Sequence, residues 1–179
     1  FKCPSVEMTS LNGGSNNPGD AVYANSLPDV HYCATVAAEK RIVPEYEVFE
    51  IGMIHSICEI ASQVDVSRPL LINTVFGHRG TMPATIDTLV HFRHFVPRDA
   101  LWGVTHFGRH GFDFLAAAIG MGADLVRIGF EDSKFIDPEQ RAENNLQLVD
   151  KLARLIRAMD REIATPDEAR RMLNVQPKP

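Results

Sequence analysis

The chain has no basic tract, no long apolar run and no cysteine spacing of metal-binding type. Each absence removes a class of function. With a net charge of -5 and no clustered lysine or arginine, nucleic acid is excluded as the main partner. No stretch approaches the roughly 20 apolar residues needed to cross a bilayer, and none reads as a signal peptide, so no membrane partner is expected. Cys3, Cys33 and Cys58 are odd in number and scattered, and they read as reduced thiols of a cytoplasmic protein. A dinucleotide fingerprint, a P-loop and a nucleophile elbow are also lacking, which removes the enzyme classes built on them.

What is present is an ordinary globular composition over 179 residues, 45% hydrophobic and 23% charged, enough for one substantial core. Hydrophobic periodicity alternates between strand and helix in strict order. Strands are expected at Ser5 to Leu11, Val43 to Phe49, Pro69 to Phe76, Leu101 to Phe107 and 124 to 130. Helices are expected from a Ser26 cap to about Lys40, at 53 to 63, from Ala84 to Val96 and at 112 to 121. A long helix is expected to start at an Asp137 cap, with Leu146, Val149, Leu152 and Ile156 on its apolar stripe. A last helix opens at the Thr165 capping box. Five strand–helix units in alternation predict a parallel sheet with helical crossovers. Two closures fit: an open doubly wound sheet, or the last five units of an eight-stranded barrel whose first three units are not in this sequence. The start at Phe1 in place of Met fits the second.

Polar or glycine-rich loops follow the strands, at 12–19, 77–81 and 108–111. That is the side on which α/β proteins place their sites. The most informative stretch is Asp124 to Ser133. Period-two alternation puts Leu125, Arg127, Gly129 and Glu131 on one face and Val126, Ile128 and Phe130 on the other, with Asp132 at the strand end. A charged group on the inner face of a buried strand must be paired or bind something. A purely structural ion pair with a capping Asp is the competing reading. Glu45 and Glu47 share a face of the second strand, so inward charges converge from more than one strand, which favours a barrel. His55 and Glu59, four apart on a helix, read as a solvated pair. His106 and His110 flank a loop without an adjacent acid and make a weak metal signal.

Several segments in register resemble one family. Val126-Arg127-Ile128-Gly129-Phe130-Glu131-Asp132-Ser133, the run from Ala142 to Val149 and the run from Ala164 to Arg170 are similar to the β-keto acid cleavage enzymes. So are Glu7 to Asn12, Pro44 to Glu50 and Pro83 to Thr85, in the same order. The resemblance implies a (β/α)8 barrel, homo-oligomeric and often tetrameric, of which residues 1–179 form the C-terminal portion of a single domain. It implies exchange of a β-keto acid with acetyl-CoA to give acetoacetate and a new CoA thioester, with a divalent metal, usually zinc. Glu131 matches the carboxylate metal ligand. The family's His-x-His ligand pair has no counterpart here. Asp132 matches the general base, expected to act on the acetyl-CoA methyl, and Arg127 the arginine that orients it. Glu45 matches the acid that holds the arginine, ahead of Glu47. Thr9 and Asn12 fall where substrate contacts are expected. Ser133, where many members have asparagine, and His106 and His110 beside the usual Gly-Arg are departures that bear on substrate preference.

Overall fold

A computed structural model describes residues 5–176; Cys3 and the last residues of the tail, 177–179, lie outside them. The five strands are β1 (Met8–Asn12), β2 (Val43–Val48), β3 (Leu71–Phe76), β4 (Leu101–His106) and β5 (Leu125–Val126). They form one sheet in the order β1-β2-β3-β4-β5, and every neighbouring pair is parallel. A doubly wound sheet reverses its strand order at a switch point. This sheet does not reverse, so the open alternative is set aside. Sequential order with a helical crossover between neighbours is the arrangement of a (β/α)8 barrel, and the described residues carry five of its units.

Register divides the residues between two faces. Ser10, Glu45 and Leu71 stand level with one another, as do Asn12, Glu47, Asn73 and Gly103. These, with Thr105, make the inner face. The outer face carries Tyr46, Val48, Ile72, Trp102 and Val104, all buried in the core with Val30, Ala34, Ile57, Phe92 and Leu115 from the helices. Those helices are α1 (Leu27–Glu39), α2 (Ile51–Gln63), α3 (Ile86–Phe95) and α4 (Asp113–Gly120). The hydrophobic effect drives the outer face onto the helices and leaves the polar side chains to converge inside. A polar contact also lies on the outer side: the Trp102 indole donates to Thr74 Oγ1 at 3.0 Å, which satisfies a ring N–H buried in the core.

Local signals set the helix starts. The Ser26 hydroxyl accepts from Asp29 N while the Asp29 carboxylate accepts from Ser26 N, a reciprocal cap for α1. The Thr165–Glu168 box opens α6 (Pro166–Met172) as expected. The long helix is a correction. It is α5 (Asn145–Ala158), capped by Asn144, and it does not begin at Asp137. The Asp137 carboxylate accepts from Glu139 N and Gln140 N, and Phe135 bridges to Arg141. Asp137 therefore closes a turn of its own, an alternative that short acidic side chains offer the backbone. The buried side of α5 is Leu148 and Leu152, while Leu146 and Val149 are exposed. Among the described residues no helix is long and apolar enough to cross a membrane.

Candidate active site

The C-terminal ends of the strands bring three charged segments together. The first is the end of β5. Its pairing with β4 ends with Arg127 N donating to Val104 O. The Gly129 carbonyl then accepts from both Asp132 N and Ser133 N, so the chain turns where a longer strand, 124 to 130, was expected. Glu131 consequently leaves the inner face. Its side chain is 84% exposed, and its nearest approach to Arg127 is 3.9 Å. Asp132 instead folds back and is buried.

Arg127 holds the centre. Its Nε donates to Asp132 Oδ2 at 3.0 Å and its Nη2 to Asp132 Oδ1 at 2.7 Å, a two-pronged pair. Its Nη1 donates to Glu47 Oε1 at 2.6 Å. The acid that grips Arg127 is thus Glu47, where Glu45 was expected. Glu45 sits two residues earlier on β2, deeper along the inner face, and accepts from Asn73 Nδ2 at 2.6 Å. Asn73 also donates to Thr105 Oγ1 at 3.0 Å. Gly103 between them is tight: an added Cβ would lie 3.1 Å from Asn73 Cα and Cβ. Asn12 stands level with Glu47 on the inner face, and its Oδ1 accepts from Gly14 N. Thr9 has the opposite parity, shares the helix-facing side with Leu11, and is not brought to the others.

The electrostatics rank the partners. Burial works against the Arg127 charge, but the hydrogen-bonded Asp132, followed by Glu47, outweighs it and holds the guanidinium well above its ordinary range. Burial pushes the Glu47 carboxyl up, and the nearby Glu45 adds to this against the pull of Arg127. Asp132 is therefore the strong partner and Glu47 the weaker one. From the loop after β3, His78 stacks on Phe107 at 3.8 Å and meets Phe49 edge-on at 5.7 Å. Burial pulls its imidazole below the usual range, while Asp132 pulls the other way.

Among the described residues at this rim, the carboxylate most open to a divalent metal is Glu131, 84% exposed and only 3.9 Å from Arg127 at its nearest. Among the described residues no group of three histidine, cysteine, aspartate or glutamate side chains could hold a metal ion. His106 packs edge-on against Phe114 and His110 stacks on Phe135, so these two do not form a metal pair. The donors among the described residues do not by themselves fit a catalytic metal centre, which takes about three protein ligands.

Asn73, Thr105 and Arg109 were not singled out from sequence. The first two are buried polar residues in largely apolar strands, β3 and β4, and that was the available signal. Arg109 is fully buried in the loop after β4, beside Asp132.

Comparison with known proteins supplies independent findings. The beta-keto acid cleavage enzyme family matches residues 2–175. A 3-keto-5-aminohexanoate cleavage enzyme from Fusobacterium nucleatum is 36% identical over 95% of this chain and 62% of its own length. A 3,5-dioxohexanoate:acetyl-CoA acetone transferase from Paraburkholderia graminis is 28% identical over 89% of this chain and 53% of its own. The chain thus spans less than two thirds of the curated relatives it matches. The structure of ObcA in binary complex with oxaloacetate superposes with a TM-score of 0.77 at 14% identity, over 96% of this chain and 46% of that one. That likeness concerns the fold alone.

Proposed function

The chain belongs to the beta-keto acid cleavage enzyme family, and we propose that it carries the proton-transfer half of a site exchanging a β-keto acid with acetyl-CoA. The observation that supports this reading is the buried Asp132 carboxylate gripped at both oxygens by Arg127, at the C-terminal rim. Asp132 is the proposed general base, Arg127 orients it, and Glu47 steadies Arg127. Asn12 and His78 are proposed to face the substrate.

Atom balance decides which proton moves. A keto acid R–CO–CH2–COO⁻ and CH3–CO–S-CoA become R–CO–S-CoA and CH3–CO–CH2–COO⁻. The new carbon–carbon bond joins the keto acid's methylene carbon to the acetyl carbonyl, and CoA thiolate leaves. The thiolate then attacks the R–CO carbonyl, the bond from that carbonyl to the methylene carbon breaks, and the electron pair returns to the methylene carbon. The proton that Asp132 removes and later returns is therefore on this methylene. It is not on the acetyl-CoA methyl, the position expected from sequence, because a methyl carbanion adding to the ketone does not lead to acetoacetate.

A carboxylate held by an arginine is well oriented but a weak base. It suffices for carbon acids only where the developing enolate oxygen is stabilised. A divalent cation, zinc by resemblance, would supply electrostatic stabilisation of that kind if bound; among the described residues Glu131 would offer one ligand, and the other ligands would have to come from elsewhere. The remaining work belongs to the chain's own residues: Arg127 fixes the direction of the carboxylate, and Glu47 fixes Arg127.

The test is to incubate the full-length natural protein with acetyl-CoA labelled with carbon-13 in its carbonyl and a panel of β-keto acids. Label at the keto carbon of acetoacetate, with unlabelled R–CO in the thioester, is expected. A different barrel lyase or aldolase would cleave the keto acid without forming a CoA thioester, and that result would end this reading.

A further inference from the structure

Two loops meet behind Asp132, and one buried cation joins them. Gly108 N donates to Asp132 O at 2.8 Å. Ser133 Oγ donates to Arg109 O at 2.6 Å and accepts from Phe135 N at 3.1 Å. Arg109 Nη1 donates to Phe135 O at 2.6 Å. The His110 ring lies flat on Phe135, with centroids 4.2 Å apart. These contacts bind the 108–110 segment, after β4, to the 132–135 segment, after β5. The Arg109 guanidinium also lies over Phe112, 4.4 Å from the ring centre, which ties both segments to the start of α4.

Arg109 is only 1% exposed, yet among the described residues its Nε and Nη2 have no hydrogen-bond partner. No ion pair to Arg109 forms among the described residues. Burying a cation without a counter-charge is costly, and a lysine-like solvated position would avoid that cost. The acid whose charge bears on Arg109 is Asp132. The remaining charged and titratable groups around Asp132 are Arg127 and Glu131 on its own segment, Glu47 on β2, His78 after β3 and His106 at the end of β4.

We infer that Arg109 is a positioning residue for the proposed reaction: its side chain locks the 132–135 segment so that Asp132 is presented to Arg127 and to substrate. The inference rests on the reading of Asp132 as the general base. It divides labour between the two arginines. Arg127 aims the carboxylate from the front, and Arg109 fixes the backbone that carries it from behind. Ser133 belongs to the same lock, because its hydroxyl bridges the Arg109 carbonyl and the Phe135 amide.

The test uses the full-length natural protein with Arg109→Gln, Arg109→Lys, Ser133→Ala and Asp132→Asn. A displaced base loses rate without losing substrate affinity, so Arg109→Gln is expected to lower kcat about 100-fold with KM for both substrates within about threefold. Arg109→Lys keeps a donor for Phe135 O and is expected to recover part of that loss. Ser133→Ala is expected to lose less than Arg109→Gln, again in kcat. A purely structural arginine would lower the melting temperature and leave kcat intact, and that result overturns the inference. A rise in KM at unchanged kcat would make Arg109 a substrate contact and also overturns it. Should Arg109→Gln fail to fold, the kcat of Ser133→Ala decides in the same way. Full activity in Asp132→Asn would sink the underlying reading. An inactive Asp132→Asn beside an active Arg109→Gln would sink the positioning role alone.

Discussion

Replacing Arg127 by methionine keeps an unbranched, flexible stem and removes the only cation that hydrogen-bonds to Asp132 among the described residues. The Asp132 side chain is 2% exposed and takes two hydrogen bonds from that cation, at 3.0 and 2.7 Å. Removing one partner of a buried pair leaves the other charge uncompensated, which costs about 3–5 kcal/mol. The Arg127 side chain is 29% exposed and that of Glu47 17%, so water reaches one end of the network and the lower half of that range, about 3 kcal/mol, applies. Against a typical total of about 5–15 kcal/mol this is a large fraction. Urea unfolding of the full-length natural protein, extrapolated to water, measures it. The double variant Arg127→Met/Asp132→Asn removes both charges and is expected to recover about 2 kcal/mol of the single-variant loss. A loss under about 0.5 kcal/mol in Arg127→Met, or strictly additive single effects, would refute the reasoning that a buried, coupled pair sits here.

Further expectations concern neighbouring groups. Burial raises the Glu47 carboxyl above its ordinary value of 4.5, so its contribution to stability is present below that pH and is lost as pH rises through the folded value. Glu47→Gln keeps an acceptor for Arg127 and should remove this loss, read by urea unfolding from pH 4 to 7. His78 and His106 are both pulled below 6.5 by burial, so the stability they contribute is present above that pH and lost as pH falls through their folded values. His106→Gln should weaken that acid loss in the same titration. Gly77 has φ +93, and a Cβ there would lie 2.3 Å from Phe107 O, whereas Gly108 has φ +70 and open space. Gly77→Ala should therefore cost more than Gly108→Ala, which carries only the left-handed penalty of about 1–2 kcal/mol, as thermal melts would show.

The parts of the fold that were legible in the sequence are those set by periodicity and caps. Ser26-Leu27-Pro28-Asp29 and Thr165-Pro166-Asp167-Glu168 carry their helix starts locally, and both appear where expected. Asp137-Pro138 carries the same signal but closes a turn, because its carboxylate serves two nearby amides before a helix begins at Asn145. The charged cluster was legible as a cluster and not as a wiring diagram. Glu45 and Glu47 have the same parity, so alternation cannot rank them; their depth along the barrel axis does, and register with β3 fixes depth. Alternation also carried Glu131 inward, past the point where Gly129 turns the chain. The Gly108-Arg109 pair stands out in the sequence, but the role of Arg109 does not, because its partners, Phe135 and Ser133, are more than 20 residues away.

The central claim is that Asp132 moves the proton. In the full-length natural protein, acetyl-CoA-dependent formation of acetoacetate from a β-keto acid substrate should fall about 100- to 10,000-fold in Asp132→Asn, the range for loss of a general base. The isosteric amide keeps the size of the side chain and one acceptor for Arg127, while removing the basic oxygen. A rate within about twofold of the natural protein would contradict the account.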